Sequence, residues 1–479
     1  MYGGVFMYQC PNCGGGLRFD IASQMMKCDY CQTMAEPSAF SSFKGAQEDT
    51  EFEVTKFLCN QCGAEIISQD NTAAAFCSFC GASTLLISRL SREKKPDAII
   101  PFKRTKEDCI SAYLQKMKHS FFAPDELKDA KCINSFRGIY MPYWVYDVSH
   151  KGGFKLQGKK VSREGSYDIT KYYDLTAEID ADYQGVTHDA AREFSDDISE
   201  CLAPYNIREM KHFNAAYLSG FYADTYDVNS RIYDEDVLKL TQNLSMDVAT
   251  KHPVFKQYGV TASNSIKRNP FNTTMEYPHY AMLPVWFMSY RKGDRVAYVS
   301  INGQTGKISA DIPVDYKKYT IGSLLLALPI FLFLNFAISI TAKTAMVVSM
   351  LIALTTFFIS ISETKKIFKK DSGVDDKGLM SAQPQQRNSN GKISITQVFK
   401  KRWAEKKGQW GITLDLCTAL ISLMILLINP VSDYFYYGGA VLSIIAVFLT
   451  VIDIMREYNI LATRKLPQFN REGGDDGVR

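Results

Sequence analysis

The sequence contains little histidine and none of the short motifs that mark common catalytic sites. Its six histidines all lie beyond residue 118, and none has a metal-ligand spacing. No nucleophile elbow, HExxH motif or compact Ser/His/Asp arrangement occurs. Residues 153–160, GFKLQGKK, resemble a phosphate-binding loop, but Lys160 replaces the hydroxyl that would hold magnesium. His188 beside Asp189 is the nearest approach to an acid-base pair, and we expect that histidine to be exposed. We therefore predict that the protein is not an enzyme.

A secretory signal and a disulfide pattern are also missing. The first residues, MYGGVFMYQC, contain neither a basic n-region nor an apolar h-region, so we expect a cytosolic amino-terminal part. Eight of the twelve cysteines fall into two groups, and the other four are isolated: Cys109, Cys132, Cys201 and Cys417. This distribution indicates metal ligation in a reducing compartment rather than a disulfide network.

The two cysteine groups have the same frame, C-x2-C-x14-C-x2-C. CPNCGGGLRFDIASQMMKCDYC recurs as CNQCGAEIISQDNTAAAFCSFC, with every cysteine shifted by the same offset. Two C-x-x-C turns complete the tetrahedral shell that zinc prefers, whereas a catalytic zinc would keep an open position. We therefore predict two structural Zn²⁺ ions, in ribbons spanning residues 1–45 and 52–92. The predicted ligands are Cys10, Cys13, Cys28, Cys31, Cys59, Cys62, Cys77 and Cys80.

The charge of the ribbons argues against nucleic acid as their partner. Residues 1–95 contain eight Lys/Arg and ten Asp/Glu. With each Zn(Cys)4 centre contributing about −2, the module has a net charge near −6. A phosphate backbone is bound through cations that displace its counterions. The ribbons therefore fit a rigid protein-interaction module or spacer better than a nucleic-acid binder.

Long apolar runs are confined to the region after Tyr319. Each of the four runs approaches the roughly 20 residues needed to cross a bilayer. They predict two transmembrane hairpins, at 319–362 and 411–455, separated by a basic loop at 363–409 and followed by a tail at 456–479. In the second half of that loop, the apolar residues around Phe399 and Trp403 have the spacing of an amphipathic basic helix that would lie on anionic lipid. A buried helical core in a water-soluble protein is the weaker alternative.

Basic residues predict the orientation of these hairpins. The 363–409 loop contains twelve Lys/Arg against five Asp/Glu, whereas the two short hairpin turns contain only Lys343 and Asp433. The positive-inside rule then directs the loop and both termini to the cytoplasm, with the protein in the plasma membrane. Asp415 and Asp453 would lie near the cytoplasmic helix ends, where we expect them to reach interfacial water; an ion or proton role is the alternative.

The segment 97–316 predicts a water-soluble α+β domain. After the extended segment DAIIPF, apolar residues recur at the spacing of a helix. Strands occur in two β units, with Lys-Gly-Asp and Asn-Gly turns between strands, and these units flank a helical centre. The units begin with similar sequences, MPYW at 141–144 and LPVW at 283–286. Trp144 and Trp286 are expected in the core, although a peptide groove between the units is the alternative. The predicted fold class is thus multidomain: two zinc ribbons, an α+β domain and four transmembrane helices.

The two ribbons, IIPF at 99–102, MPYW, LPVW, NGQTGK at 302–307 and the trailing apolar spans together resemble a bacterial family. Its members are membrane proteins with a double zinc ribbon of the transcription-factor-IIB type, often labelled as primosomal helicases. The resemblance covers residues 1 to about 340. It implies a cytosolic zinc-ribbon platform on the membrane, with phage-shock-type or SPFH-domain proteins as partners in membrane-stress responses. The second hairpin departs from the simpler family pattern.

Three functions remain open at this point. The first is a non-enzymatic polytopic membrane scaffold that recruits protein partners through its ribbons and α+β domain, with the hairpins as anchor and oligomerisation surface. The second is a membrane-tethered nucleic-acid binder that combines the ribbons with the basic loop. The third is a transporter accessory subunit built around Asp415 and Asp453. Closed metal sites and missing catalytic motifs favour the scaffold.

Overall fold

The computed structural model describes most of the chain. The described residues are 8–40, 51–68, 77, 79–80, 87–192, 194–259, 272–337, 341–371, 376–378 and 410–466. The amphipathic helix predicted in the second half of the 363–409 loop lies outside them.

The described strands form two sheets. The small sheet has the antiparallel order β1-β2-β3, and the remaining strands form one mixed sheet. In chain order the strands are β1 Leu17–Asp20, β2 Met25–Cys28, β3 Met34–Ala35, β4 Glu51–Leu58, β5 Glu65–Ser68, β6 Ile87–Lys94, β7 Ala98–Ile99, β8 Arg137–Glu164, β9 Tyr167–Asp189, β10 Lys211–His212, β11 Tyr222–Ala223, β12 Asn272–Met275, β13 His279–Lys292, β14 Arg295–Asn302, β15 Ile308–Ala310 and β16 Arg464–Lys465.

The helices fall into a group that packs on the mixed sheet and a group of long apolar helices. The first group is α1 Lys106–Lys118, α2 Ala130–Ile133, α3 Asp196–Leu202, α4 Asp234–Lys251 and α5 Pro253–Gln257. The second group is α6 Tyr316–Ala337, α7 Ala342–Asp371, α8 Trp410–Ile428 and α9 Asp433–Leu461. Helix α1 begins where the sequence predicts, at a capping box in which Thr105 and Asp108 each accept from the other's backbone N–H.

The centre of the mixed sheet is the antiparallel pair β8 and β13. Their register places MPYW beside LPVW, with Met141 opposite Leu283 and Pro142 opposite Met282. Alternate residues enter two separate cores: Tyr140 and Trp144 on one face, Met141 and Tyr143 on the other. Because both faces are covered, these strands have nearly continuous apolar sequences rather than a polar alternation.

Both tryptophans of the repeated motifs are core residues, as expected. Trp144 and Trp286 are 4% and 6% exposed. Each indole N–H donates to a backbone carbonyl, at 2.9 Å to Val228 and at 2.8 Å to Arg104. A buried indole with its N–H satisfied is a packing element.

The mixed sheet extends into the second ribbon. Strand β8 pairs with β11, which pairs with β5, and β5 pairs with β4. The hydrogen-bonded ladder therefore runs without a break from residues 51–94 into the domain that follows. The second ribbon is thus part of the same sheet as the α+β domain.

Helices were predicted over all four apolar runs, and the structure forms a helix over each. Among the described residues, two helices are long and apolar enough to cross a membrane, Ala342–Ile367 and Asp433–Leu461, and Thr413–Ile428 is a shorter apolar helix. Helices α7, α8 and α9 pack against one another as a three-helix bundle. At one end of the bundle the two short turns meet, where Lys343 Nζ donates to Asn429 Oδ1 at 3.0 Å.

The opposite end of the bundle is fastened to the mixed sheet. Strand β16, just after α9, pairs with β14. The Asn459 side chain makes two hydrogen bonds to the backbone of Val314, at 2.6 and 2.9 Å. Arg295 on β14 donates to the carbonyls of Ile460 and Thr463 at 2.7 and 2.9 Å, satisfying acceptors at the end of α9.

Asp415 and Asp453 differ from the expectation that they reach interfacial water. They are 0% and 4% exposed and face the interior of the three-helix bundle. Asp415 Oδ2 accepts from Thr356 Oγ1 of α7 at 2.9 Å. Position near a helix end did not predict the exposure of these side chains, because exposure depends on whether a side chain lies on the packed face of its helix.

Replacing Arg295 by alanine should loosen the attachment of α9. The variant loses charge-assisted hydrogen bonds worth about 2 kcal/mol and leaves carbonyls unsatisfied. We expect the melting temperature of the full chain in detergent to fall by roughly 2 °C. Arg291→Ala is the matched control, because Arg291 on the neighbouring strand makes only an exposed bond to Gly293 among the described contacts. Equal melting temperatures for the two variants would contradict this attachment.

Candidate metal centres

The first ribbon brings its four predicted ligands together at the base of the β1–β2 hairpin. The backbone turns at the first pair through hydrogen bonds from Gly14 N to Cys10 O at 2.8 Å and from Cys10 N to Gly15 O at 2.7 Å. Gly14 has a φ of +71°, which glycine adopts without strain. The second pair turns in the same way, with Gln32 N donating to Cys28 O at 3.0 Å.

The second ribbon repeats this geometry. Gly63 N donates to Cys59 O at 2.8 Å, Cys59 N donates to Ala64 O at 2.9 Å, and Gly63 has a φ of +79°. The frame repeated in the sequence is therefore also repeated in the backbone. In both ribbons the four sulfurs lie within 4.8 Å of one another.

The sulfur separations fit tetrahedral zinc. Four sulfurs at about 2.3 Å from a central ion are separated by about 3.8 Å. The second ribbon has 3.8 Å between Cys59 and Cys80 and 3.7 Å between Cys62 and Cys77. The corresponding separations in the first ribbon are both 3.4 Å. Each cluster can bind one Zn²⁺, which gives two structural ions.

Charge explains why these thiols need a dication. A hydrogen bond from the Cys77 thiol lowers the pKa of Cys59 to about 6, and the same interaction contributes to raising the pKa of Cys77 far above its usual range. The tetrad can therefore form one thiolate readily, but further negative charge accumulates against its neighbours. Zn²⁺ supplies the positive charge that allows all four sulfurs to act as thiolate ligands.

The two clusters differ in exposure. All four cysteines of the second ribbon are buried, whereas Cys13 and Cys31 of the first are exposed. The second ribbon is enclosed because Phe79 packs on Phe287 and its carbonyl accepts from Tyr298 Oη at 2.7 Å. The second cluster thus stabilises the mixed sheet directly, and the first lies at the surface.

The first ribbon is nevertheless docked firmly through the side of its hairpin. The Phe19 and Tyr217 rings pack edge to face at 5.1 Å. Ser219 Oγ donates to Leu17 O at 2.6 Å, and Gln24 Nε2 donates to Phe102 O at 2.8 Å. The cysteine end remains at the surface, with Tyr30 74% and Met34 50% exposed. We call the surface formed by Tyr30, Met34 and the two exposed cysteines the knuckle face.

The remaining sequence candidates form no catalytic arrangement among the described residues. His188, expected to be exposed, is 6% exposed and its ring stacks on Tyr233 at 4.4 Å. Residues 153–160 lie inside β8, within a β-hairpin rather than between a strand and a helix. Residues 303–307 form a tight turn in which Asn302 Oδ1 accepts from the backbone of Gln304 and Thr305.

Two groups of buried polar residues were not predicted as groups, although Asp415, Asp453 and Asp189 were named individually. One lies in the α7–α8–α9 bundle and includes Glu457, which accepts from Thr364 Oγ1 at 3.0 Å. The sequence contains a signal for this group, because polar residues recur every three or four positions along α9. The other surrounds Asp189, where Lys377 of the inter-hairpin loop donates its N–H to Asp196 at 2.9 Å. That contact joins residues far apart in the chain and has no sequence signature.

Removing one zinc ligand should have unequal consequences in the two ribbons. Cys77→Ser is expected to lose one zinc and to lower the melting temperature strongly, because its cluster lies within the mixed sheet. Cys13→Ser should also lose one zinc, with a smaller drop, since its cluster is at the surface. Zinc content and thermal unfolding of the full chain measure both effects. Cys201→Ser, an exposed cysteine outside both clusters, should retain two ions. A smaller drop for Cys77→Ser than for Cys13→Ser would contradict the assigned roles.

Asp189 should make stability depend on pH. Burial, with the nearby carboxylates of Asp196 and Asp376, raises the pKa of Asp189 well above its usual range. The folded protein then keeps a proton that the unfolded chain releases near pH 4, so stability falls as pH rises through this window, by up to about 1.4 kcal/mol per pH unit. Asp189→Asn should flatten the decline between pH 5 and 8 in thermal unfolding, while the exposed Asp174→Asn keeps the wild-type slope. A wild-type slope in Asp189→Asn would show that Asp189 is already ionised in the folded protein over this range.

The comparisons with known proteins assign no activity. The chain is 28% identical over 319 residues to the uncharacterized protein YdjG of Bacillus subtilis (strain 168), a match that covers 66% of this chain and 92% of that protein. No family model matches the chain. No solved structure matches it significantly. About a third of the chain therefore lies outside the region shared with this relative.

Proposed function

We propose that the protein is a non-enzymatic polytopic membrane scaffold that recruits protein partners through its zinc ribbons and α+β domain. The proposal rests on the helical bundle, in which large apolar side chains face outward and polar groups face inward, an arrangement that we call inverted burial. This bundle is joined directly to a sheet that contains a zinc ribbon. A scaffold of this kind holds its docking surface at a fixed position under the membrane. Its two zinc ions are structural.

Inverted burial supports a membrane environment for the helices. Large apolar side chains face outward, including Phe358 at 66%, Leu420 at 57% and Phe448 at 61% exposed. The interior instead contains polar groups such as Asp415, Ser443 and Glu457, each 0% exposed. In water this arrangement would leave the apolar surface unburied, whereas in lipid the outer surface matches its solvent and the polar groups pair inside.

Four crossings are the proposed topology. Helix α6 is about 33 Å long and α8 about 28 Å at 1.5 Å per residue, close to the roughly 30 Å of a hydrocarbon core. Both short turns meet at one end of the bundle, and the mixed sheet is attached to the other end. Together with the basic 363–409 loop, this supports a cytoplasmic sheet and loop, with the turns on the outer side of the plasma membrane.

The knuckle face is the proposed partner-docking surface. It combines an exposed aromatic ring and an exposed methionine on a turn held rigid by a metal cluster, the kind of preorganised apolar surface that protein interfaces use. The acidic balance of residues 1–95 supports a protein partner over nucleic acid. By the family resemblance, phage-shock-type and SPFH-domain proteins of membrane-stress complexes are the first partners to test.

Crosslinking in intact membranes, followed by purification and mass spectrometry, tests the scaffold. We expect wild type to capture a defined protein, and the double variant Tyr30→Ala/Met34→Ala to lose it while retaining two zinc ions. Tyr167→Ala is the matched control, because Tyr167 is similarly exposed, at 77%, at the tip of the β8–β9 hairpin. Capture that is equal in all three proteins would contradict the knuckle face. Capture that disappears on nuclease treatment would favour the nucleic-acid binder.

A further inference from the structure

A column of buried polar side chains runs through the α7–α8–α9 bundle, and we call it the polar column. Its members lie on the facing sides of the three helices and are buried, except for Thr356 and Thr364, which are half-buried. They include three carboxylates and several hydroxyls: Thr356, Ser360 and Thr364 on α7, Asp415, Thr418 and Ser422 on α8, and Ser443, Thr450, Asp453 and Glu457 on α9.

Hydrogen bonds link these groups between helices at successive depths. Nearest the mixed sheet, Glu457 accepts from Thr364 at 3.0 Å and from Ser360 at 3.3 Å. The next level is Asp415 with Thr356, at 2.9 Å. At the far end, the Ser422 and Ser443 hydroxyls are 3.3 Å apart. Counted back from the end of α9, these levels lie about 6, 16 and 27 Å into the bundle.

Two polar atoms at the middle level have no well-aligned hydrogen bond among the described residues. They are Asp415 Oδ1 and Thr450 Oγ1, and both residues are fully buried. Thr450 lies close to the Asp415 carboxylate, and Asp453 is also near enough to interact with it electrostatically. A buried ionised carboxylate with an open oxygen is costly in a membrane interior. A proton on Oδ1 removes the charge and converts that oxygen into a hydrogen-bond donor.

Charged neighbours distinguish the middle level from the sheet end. Arg456 Nη1 lies 3.8 Å from Asp453 and is 42% exposed, and Lys370 Nζ donates to the Leu461 carbonyl near the sheet. Both cations therefore lie toward the sheet end of the column. Within the described chain, Asp415 has no ion-pair partner. The middle level thus contains a carboxylate that positive charge does not neutralise.

The outer end of the column is closed by apolar packing. Met346, Ala342, Tyr436 and Ala440 form a buried cluster beyond Ser443. The fit is tight, because a Cβ added at Gly439 would lie 2.9 Å from Met346 Sδ. The polar column therefore has its acidic groups toward the sheet and an apolar barrier toward the turns.

We propose that the polar column is an exchangeable proton-binding site, reached from the sheet end and centred on Asp415. A proton enters at Glu457, whose carboxylate becomes a neutral acid. That acid releases a proton through a bridging water toward Asp453 and returns to carboxylate, and Asp453 passes a proton to Asp415 in the same way. Each transfer breaks one O–H bond and forms another, so charge and atoms balance at every step. The inference rests on the proposed membrane placement of α7, α8 and α9.

Infrared spectroscopy of the full chain in lipid nanodiscs tests the site. We expect the C=O band of a protonated carboxyl group that titrates with pH and shifts when H₂O is replaced by D₂O. Asp415→Asn should remove the largest part of this band, and Asp415→Glu should restore it. Asp433→Asn is the matched control, because Asp433 lies at the outer turn, away from the column. A wild type without a titrating band, or an Asp415→Asn variant that keeps it unchanged, would overturn the proposal.

Three further experiments distinguish a misfolded variant, a bound metal cation and a wrong membrane placement from a true proton site. If Asp415→Asn fails to fold, judged by zinc content, Thr450→Val must shift the titration midpoint of the band, and an unshifted midpoint counts against the proposal. Exchanging potassium for sodium in the buffer should leave the band unchanged; a change with one ion would overturn the proton assignment in favour of a metal cation. Alkaline carbonate extraction of cell membranes that contain the full chain tests the membrane placement separately. If the protein resists extraction but shows no titrating band, the proton site is rejected and the membrane placement is retained.

Discussion

The antiparallel pairing of β8 with β13 is the interaction on which the rest of the structure depends. Through β11 it continues into the second zinc ribbon, and through β14 and β16 it reaches the end of α9. Where they pair, both strands are buried on two faces, so their side chains fill two cores at once. The second metal cluster and the helical bundle are therefore connected by one hydrogen-bonded ladder, and Leu466, just after β16, packs against the core of that cluster.

This connection explains why the two ribbons lie in different environments despite identical spacing. The second lies within the mixed sheet, and its zinc stabilises the same body that holds α9. The first is attached by the side of its hairpin, through Phe19 and Ser219, and presents its cysteine end to solvent. A turn that a metal cluster holds rigid favours binding, because its residues lose little conformational entropy when a partner docks.

Much of this was predictable from the sequence, and the remainder has identifiable causes. The eight cysteines, helix α1, the core tryptophans and the tight turn at 303–307 follow from local spacing and turn chemistry. The burial of His188, Asp415 and Asp453 does not, because burial depends on which distant segments pack there. The merger of the second ribbon with the domain was also invisible, since β5 and β11 are joined by contacts between residues more than 150 positions apart. Polar residues recur every three or four positions along α9, which could have predicted a polar face on that helix. The high mean hydropathy of the helix hid this pattern.

The central claim is that the zinc ribbons and the sheet lie in the cytoplasm, attached to helices whose short turns reach the opposite side. Labelling with a membrane-impermeant thiol reagent tests it most directly, read by mass spectrometry at individual cysteines. Cys201 is exposed on the sheet domain, and Val431 in the α8–α9 turn is fully exposed. The account predicts that Val431→Cys is labelled in intact cells and that Cys201 is labelled only after permeabilisation. Labelling of Cys201 in intact cells, or of Val431→Cys only after permeabilisation, would contradict it.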